Sequence, residues 1–187
     1  MLNTVKSSAG TRIIKNGIVV DDAWKLITLA ADETPETVKL PVGPLLVPAS
    51  VWRARRAELI SREYEHGWPL GVWLTAEEGP EAIAADVDDF TVIAVEFSRF
   101  ADGRGYSTAR LLRTRYGYDG ELRALGDVLR DQLFYLQRVG FDAFALRADK
   151  NIEDARASLA DFTAAYQSAA DLSSSLQRRA TATRLAA

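Results

Sequence analysis

The sequence predicts an α/β protein of repeated strand–helix units, with a mainly parallel sheet and an N-terminal β-hairpin. Short apolar runs begin near residues 45, 70, 91, 121 and 141, and each is followed by a helical pattern. This spacing favours parallel pairing through right-handed crossovers. The spacing leaves open whether the sheet is an open three-layer sheet or part of a barrel.

The hairpin is predicted from Asn16-Gly17, which stands between two runs rich in β-branched residues. A type I′ turn needs positive φ at both central positions, and Asn-Gly supplies it most readily. Trp24 is expected to pack the hairpin onto the body. The predicted divisions are a flexible N-terminus (1–10), a hairpin appendage (11–30), a linker (31–44), an α/β domain (45–167) and a tail or frayed helix (168–187).

The later elements follow from apolar runs and helix-capping residues. Strands are expected at 45–47, 70–74, 91–97, 122–125 and 141–147. A helix capped by Ser50 is predicted to end before Gly67, and a short helix to begin at Pro80. A further helix is predicted to follow the loop at 102–107 and to end at about 116, and another to run from Gly126-Asp127 to Gly140. The last predicted helix starts at Asn151 and has an apolar stripe of Ile152, Ala155, Leu159, Phe162 and Tyr166.

Composition excludes several classes of function. The 187 residues include no cysteine, which rules out thiol chemistry and cysteine-ligated clusters in this chain. His66 is the one histidine and is predicted to lie at a helix end. With a net charge of −3 and no long apolar run, we expect neither nucleic acid nor a membrane as a partner. A cytoplasmic protein of bacterial type is the expectation.

The candidate site lies where parallel strands end, because loops and helix N-termini converge there. Glycines at 103 and 105 would let the backbone approach a ligand, with Ser107 in the same loop. Arginine offers paired donors for carboxylate, phosphate or sulfur oxyanions. The anion-binding candidates are therefore Gly103, Arg104, Gly105, Ser107, Arg123 and Arg147. Asp102 and Asp127 are the candidates to orient these groups or to exchange protons, and Asp149 is a further carboxylate that could hold an arginine.

A purely structural interpretation of the same residues stays open. Arginines and aspartates at strand ends often pair with each other, and Asp127 is expected to act mainly as a helix N-cap. Gly103-x-Gly105 matches only part of a dinucleotide fingerprint, so no nucleotide cofactor is predicted. Asp102 has no calcium-loop continuation, and no metal site is predicted.

Three segments carry a resemblance to a known family: FADGRGYSTARLLR (100–113), GELRALGDVLRDQ (120–132) and GFDAF (140–144). Together they resemble a bacterial family of unknown function that is labelled an oxidoreductase involved in sulfite reduction. The hairpin region with Asp22 and Trp24 fits as well. The resemblance implies a link to assimilatory sulfur metabolism, and it supplies no catalytic residues.

Three functions remain open at this point. The first is an enzyme or binding protein for a small anionic metabolite, with Arg104, Arg123 and Arg147 on the oxyanion. The second is a non-catalytic accessory or docking partner of sulfite reductase, which would use the strand-end loops or the hairpin with Trp24. The third is a flavin- or nicotinamide-dependent oxidoreductase, for which the sequence has no adequate cofactor fingerprint.

Overall fold

A computed structural model of the chain describes residues 12–99 and 102–161. Its strands are β1 (Arg12–Lys15), β2 (Ile18–Asp21), β3 (Lys25–Leu26), β4 (Leu45–Pro48), β5 (Leu70–Leu74), β6 (Val92–Phe97), β7 (Glu121–Gly126) and β8 (Ala143–Phe144). Its helices are α1 (Ala49–His66), α2 (Arg104–Thr114), α3 (Leu133–Val139) and α4 (Ile152–Ser158). Short 3-10 helices cover Pro80–Ile83, Val87–Asp89 and Arg130–Gln132. The predicted α/β class and repeated strand–helix units are confirmed.

The eight strands form one curled, half-barrel sheet in the order β2-β1-β8-β7-β6-β5-β4-β3. Neighbours from β3 to β8 are parallel, whereas β1 is antiparallel to both β2 and β8. The partial-barrel alternative is thus the correct one. Its curvature is also required by the chain, because β2 and β3 stand at opposite edges and Asp22, Ala23 and Trp24 alone join them. Such a link spans at most about 14 Å.

The predicted hairpin turn is confirmed, since φ is 51° at Asn16 and 75° at Gly17. The backbone N–H of Asn16 donates to the carbonyl of Asp142 at 2.8 Å. This contact, with the β1–β8 pairing, joins the hairpin to the end of the parallel sheet. The predicted linker 31–44 consists of turns between β3 and β4. The predicted segments 1–10 and 168–187, with Phe162 and Tyr166, lie outside the described residues.

The two faces of the sheet are covered differently. All four helices bury apolar residues in one large core that includes Val72, Ile93 and Phe144. We call this side the helix face. The opposite side, the helix-free face, carries a small cluster of Leu46, Val92, Ala94 and Leu125, with Trp24, Leu26, Trp73 and Ala145 packed against it. Strand residues alternate between the two faces, as the period of a β-strand requires.

Gly71 makes room for Trp24 on the helix-free face. A Cβ atom at position 71 would lie 2.8 Å from Leu46 Cδ1, 2.9 Å from the carbonyl oxygen of Val92 and 3.1 Å from Trp24 Cζ3. The Trp73 indole N–H donates to the carbonyl of Ile27 at 2.9 Å. The segment that follows β2 therefore crosses the helix-free face and is held there by both tryptophans.

Three predicted boundaries are wrong. Helix α1 begins directly after β4 at Ala49, so Pro48 is its N-cap and Ser50 makes no capping hydrogen bond. Strand β8 contains two residues rather than the seven of 141–147. Helix α3 begins at Leu133, after a 3-10 turn whose N-cap is Leu129, so Asp127 caps no helix.

The capping predicted at Gly67 and Asn151 is confirmed. Gly67 ends α1 with φ of 65°. The Asn151 side chain accepts hydrogen bonds from the N–H groups of Glu153 and Asp154 at 2.9 and 3.3 Å. Ile152 and Ala155 are buried, as the stripe predicted for α4 requires.

Candidate functional site

Arg123 lies in a buried ion network on the helix-free face. Its Nη1 donates to Asp22 Oδ2 at 3.0 Å and its Nε to Glu121 Oε1 at 2.7 Å. Lys15 Nζ contacts the other oxygen of Glu121 at 2.7 Å. The Arg123 side chain is 2% exposed. A guanidinium that is enclosed and doubly paired in this way holds structure together, and it is separate from the exposed loops at the sheet edge.

The alternation of β7 explains this placement. Leu122 and Ala124 belong to the helix-face core, so Arg123 between them points to the other face. There it stands in register with Ala94 on β6 and Ala143 on β8, whose small side chains leave room for a guanidinium. The prediction from the sequence rested on the position of Arg123 near a strand end. Its role depends instead on the face of the sheet to which its side chain points.

Asp102 and Arg104 form an ion pair before α2, with the Arg104 side chain 58% exposed and that of Asp102 13% exposed. Arg104 donates from Nε and Nη2 to the two carboxylate oxygens at 3.0 and 2.7 Å, and its backbone N–H donates to Oδ1 at 3.1 Å. These hydrogen bonds lower the pKa of Asp102 to about 2. The carboxyl is therefore ionised near neutral pH, which suits orienting an arginine and does not suit proton exchange.

Arg147 and Asp127 meet between the loops that follow β8 and β7. Arg147 Nη1 donates to Asp127 at 3.0 Å, and its Nε and Nη2 donate to Asp149 at 2.6 and 3.0 Å. These contacts hold the pKa of Asp149 well below its usual range. The Arg147 side chain remains 44% exposed. The site thus has an oriented guanidinium that solvent can reach.

The predicted glycine loop plays a different part from the expected one. Gly103 and Ser107 are exposed, and Gly103 has an ordinary φ of −82°. Gly105 is buried, and a Cβ atom there would lie 2.7 Å from the Phe97 ring. Gly105 therefore lets α2 pack closely on β6. A positive φ occurs instead at Gly126, where φ is 97° and an added Cβ atom would lie 2.5 Å from the carbonyl oxygen of Phe97.

Glu96 is a candidate that the sequence analysis did not select. It lies near the carboxyl end of β6, two residues beyond Ala94 and in register with Leu125 on β7, so it faces the helix-free side. Burial raises the pKa of this carboxyl above its usual value. Among residues 12–99 and 102–161, none forms a hydrogen bond or ion pair with it. An isolated acid in an otherwise apolar strand was the available signal.

A family model for bacterial proteins of unknown function, DUF934, matches residues 71–176, which is more than half of the chain. The chain belongs to this family. No curated protein matches the chain. The DUF934 match contains Glu96, Arg104, Arg123 and Arg147, whereas Lys15 and Asp22 precede it. The buried ion network therefore joins the DUF934 region to the N-terminal segment.

His66 ends α1, and its ring packs on Trp68 with centroids 4.3 Å apart. Within residues 12–99 and 102–161, no cluster of three or more histidine or acidic side chains could hold a metal ion. None of the helices in the described ranges has the length and apolar character that a membrane crossing requires.

Proposed function

We propose that this protein binds a small oxyanion-bearing metabolite at the carboxyl ends of its strands, and that it does so within sulfite reduction. The observation that carries the proposal is the meeting of Asp127 and Arg147 from the loops after two neighbouring strands. Ligands of parallel α/β sheets bind at this edge. Two carboxylates fix the direction of the Arg147 guanidinium before any ligand arrives, which lowers the entropic cost of binding.

Arg147 retains donors for such a ligand. A guanidinium has five N–H groups. Three hydrogen bonds to Asp127 and Asp149 leave two of these groups, on the terminal nitrogens Nη1 and Nη2. Two N–H groups from adjacent nitrogens match two oxygens of a sulfur or phosphorus oxyanion. Arg104 can assist, since its contacts with Asp102 leave Nη1 unused.

The link to sulfur metabolism is supported by the resemblance of the segments at 100–113, 120–132 and 140–144. The first of these segments contains the Asp102–Arg104 pair, and the second contains Asp127. Sulfite and sulfate carry the oxyanion group that Arg147 is suited to bind. Asp102, with its lowered pKa, is assigned an orienting role in this proposal rather than proton transfer.

The test is a thermal shift of the full chain with sulfite, sulfate and phosphate, because a ligand bound only by the native state stabilises it. The wild-type protein should shift with at least one of these anions. Arg147→Gln should abolish the shift. Arg56→Gln is the matched control, because Arg56 on α1 is a similarly exposed arginine paired with two carboxylates, Asp86 and Asp89, in the segment that precedes β6. No wild-type shift, or an equal loss in the control, would reject the proposal.

The second candidate is a non-catalytic accessory of sulfite reductase. It is favoured by the observation that each of the three predicted arginines is already paired with at least one carboxylate. Such pairing reduces the attraction of the edge for an anion and leaves a mixed-charge surface suited to a protein partner. Co-purification of the reductase with the tagged chain, without any shift by the anions, would favour this candidate over the first.

A further inference from the structure

The carboxylates at the carboxyl edge of the sheet differ in whether an arginine pairs with them. Asp102, Asp127 and Asp149 each accept hydrogen bonds from an arginine. Glu96 does not, although it lies on the same edge and is partly buried. A partly buried carboxylate without a partner is unfavourable, because it has lost water and gained no hydrogen bond. Among the partly buried carboxylates at this edge of residues 12–99 and 102–161, Glu96 is therefore the one that a ligand can still satisfy.

The surroundings of Glu96 give no compensation from the protein itself. Its neighbours on the helix-free face are Ala94, Leu125 and Trp73, none of which is charged. The charged network of Lys15, Asp22, Glu121 and Arg123 on this face has members that are paired with one another. Burial is the sole cause that raises the Glu96 pKa. A cation placed beside this carboxyl would reverse that effect.

Glu96 and the Asp127–Arg147 pair are close enough to contact one ligand. Glu96 is in register with Leu125, which precedes Asp127 by two residues, and the Asp127 N–H donates to the carbonyl of Phe97 at 2.7 Å. With strands ~4.8 Å apart and a rise of ~3.3 Å per residue, the backbones of Glu96 and Asp127 lie roughly 8 Å apart. A small metabolite is long enough to span such a separation.

We propose that the ligand is a zwitterion, whose ammonium group contacts Glu96 while its oxyanion contacts Arg147. This inference rests on the proposed function and adds the ligand class to it. Leu125, in register with Glu96, and Ala145, two residues before Arg147, belong to the apolar cluster of this face and offer a surface for a short aliphatic skeleton. An aminoalkyl sulfonate or sulfinate has these three parts in this order.

The test compares two sulfonates that differ at one group. Taurine carries an ammonium, and isethionate carries a hydroxyl at the same position. Calorimetry with the full chain should show that taurine binds at least about tenfold more tightly, since hydrogen bonds between charged groups are the strong ones. Glu96→Gln should remove this preference and leave isethionate binding unchanged. Glu65→Gln, at an exposed carboxylate near the end of α1, should keep the preference.

The outcomes separate this inference from the function on which it rests. If isethionate and taurine bind equally well, or if Glu96→Gln keeps the preference, the ammonium contact is refuted while oxyanion binding stands. If neither sulfonate binds but sulfate does, the zwitterion is refuted and the oxyanion site again stands. If no oxyanion of any kind binds, both proposals fail together. Circular dichroism of each variant establishes that a loss of binding is not a loss of folding.

Discussion

Asp22 and Arg123 lie 101 residues apart in the chain and form an ion pair of 3.0 Å with side chains 5% and 2% exposed. Glu121 neutralises the other side of the guanidinium, and Lys15 contacts Glu121. A buried group of this kind tolerates the loss of a partner poorly, because the remaining charge has no water to replace it. The network therefore makes the position of the N-terminal segment depend on β7.

Arg123→Ala should destabilise the protein strongly. Removal of one member of a buried ion pair costs about 3–5 kcal/mol, because Asp22 and Glu121 stay buried without their partner. Urea unfolding followed by tryptophan fluorescence measures the loss. Arg104→Ala is the control, since the Arg104 guanidinium is 58% exposed and its loss should change the unfolding midpoint far less. Equal midpoints for the two variants would refute the structural role of Arg123.

Gly126→Ala should also destabilise, through the backbone. An L-residue in the left-handed region costs ~1–2 kcal/mol. At Gly126, with φ of 97°, the added Cβ would in addition lie 2.5 Å from the carbonyl oxygen of Phe97. Gly103→Ala provides the comparison, since φ there is −82° and nothing lies within 4 Å of the added carbon. Thermal unfolding should show a lower Tm for the first variant and an unchanged or higher Tm for the second.

Glu96 should make stability depend on pH. Its pKa in the folded protein is raised above the ordinary 4.5, so the folded state binds the proton more tightly than the unfolded chain. The free energy of unfolding therefore falls as pH rises from about 4.5 through the raised pKa. Glu96→Gln removes this dependence, and its stability relative to wild type should be greater at pH 8 than at pH 4. A constant difference between the two proteins would contradict the burial of the carboxyl.

Asn151→Ala should cost about 1 kcal/mol, the usual value for a helix N-cap. Its side chain accepts from two backbone N–H groups at the start of α4. Ser50→Ala tests the opposite case, because the Ser50 hydroxyl makes no capping bond to α1 and alanine favours helix. Chemical unfolding should place Asn151→Ala below wild type and Ser50→Ala at or above it.

Local chemistry made the main elements predictable. Asn16-Gly17 specifies its turn through φ, Gly67 ends α1, and the branched run of β6 indicates a strand covered on both faces. The boundaries failed where a tertiary contact replaced a local one. Asp127 fits a helix N-cap by sequence, but its carboxylate binds Arg147 and its N–H binds Phe97, so the helix starts later.

Part of the candidate site was predictable from the positions of charged residues at strand ends. The strand-end rule placed Asp102, Arg104, Asp127 and Arg147 at one edge, and in the structure Arg104 pairs with Asp102 and Arg147 with Asp127. Spacing along the chain does not reveal which face a residue occupies in a curled sheet. Arg123 and Glu96 both face the helix-free side, yet one is enclosed by carboxylates and the other has none.

The three-residue crossing from β2 to β3 lets the segment from β1 to β3 reach both edges of the sheet. This segment pairs with β8 through β1 and with β4 through β3. Asp22 and Trp24 lie between these two contacts and pack on the helix-free face. Closing the loop of 101 residues between Asp22 and Arg123 is entropically costly until the parallel strands are paired. We therefore expect the contact between Asp22 and Arg123 to form late in folding, after the parallel strands have paired.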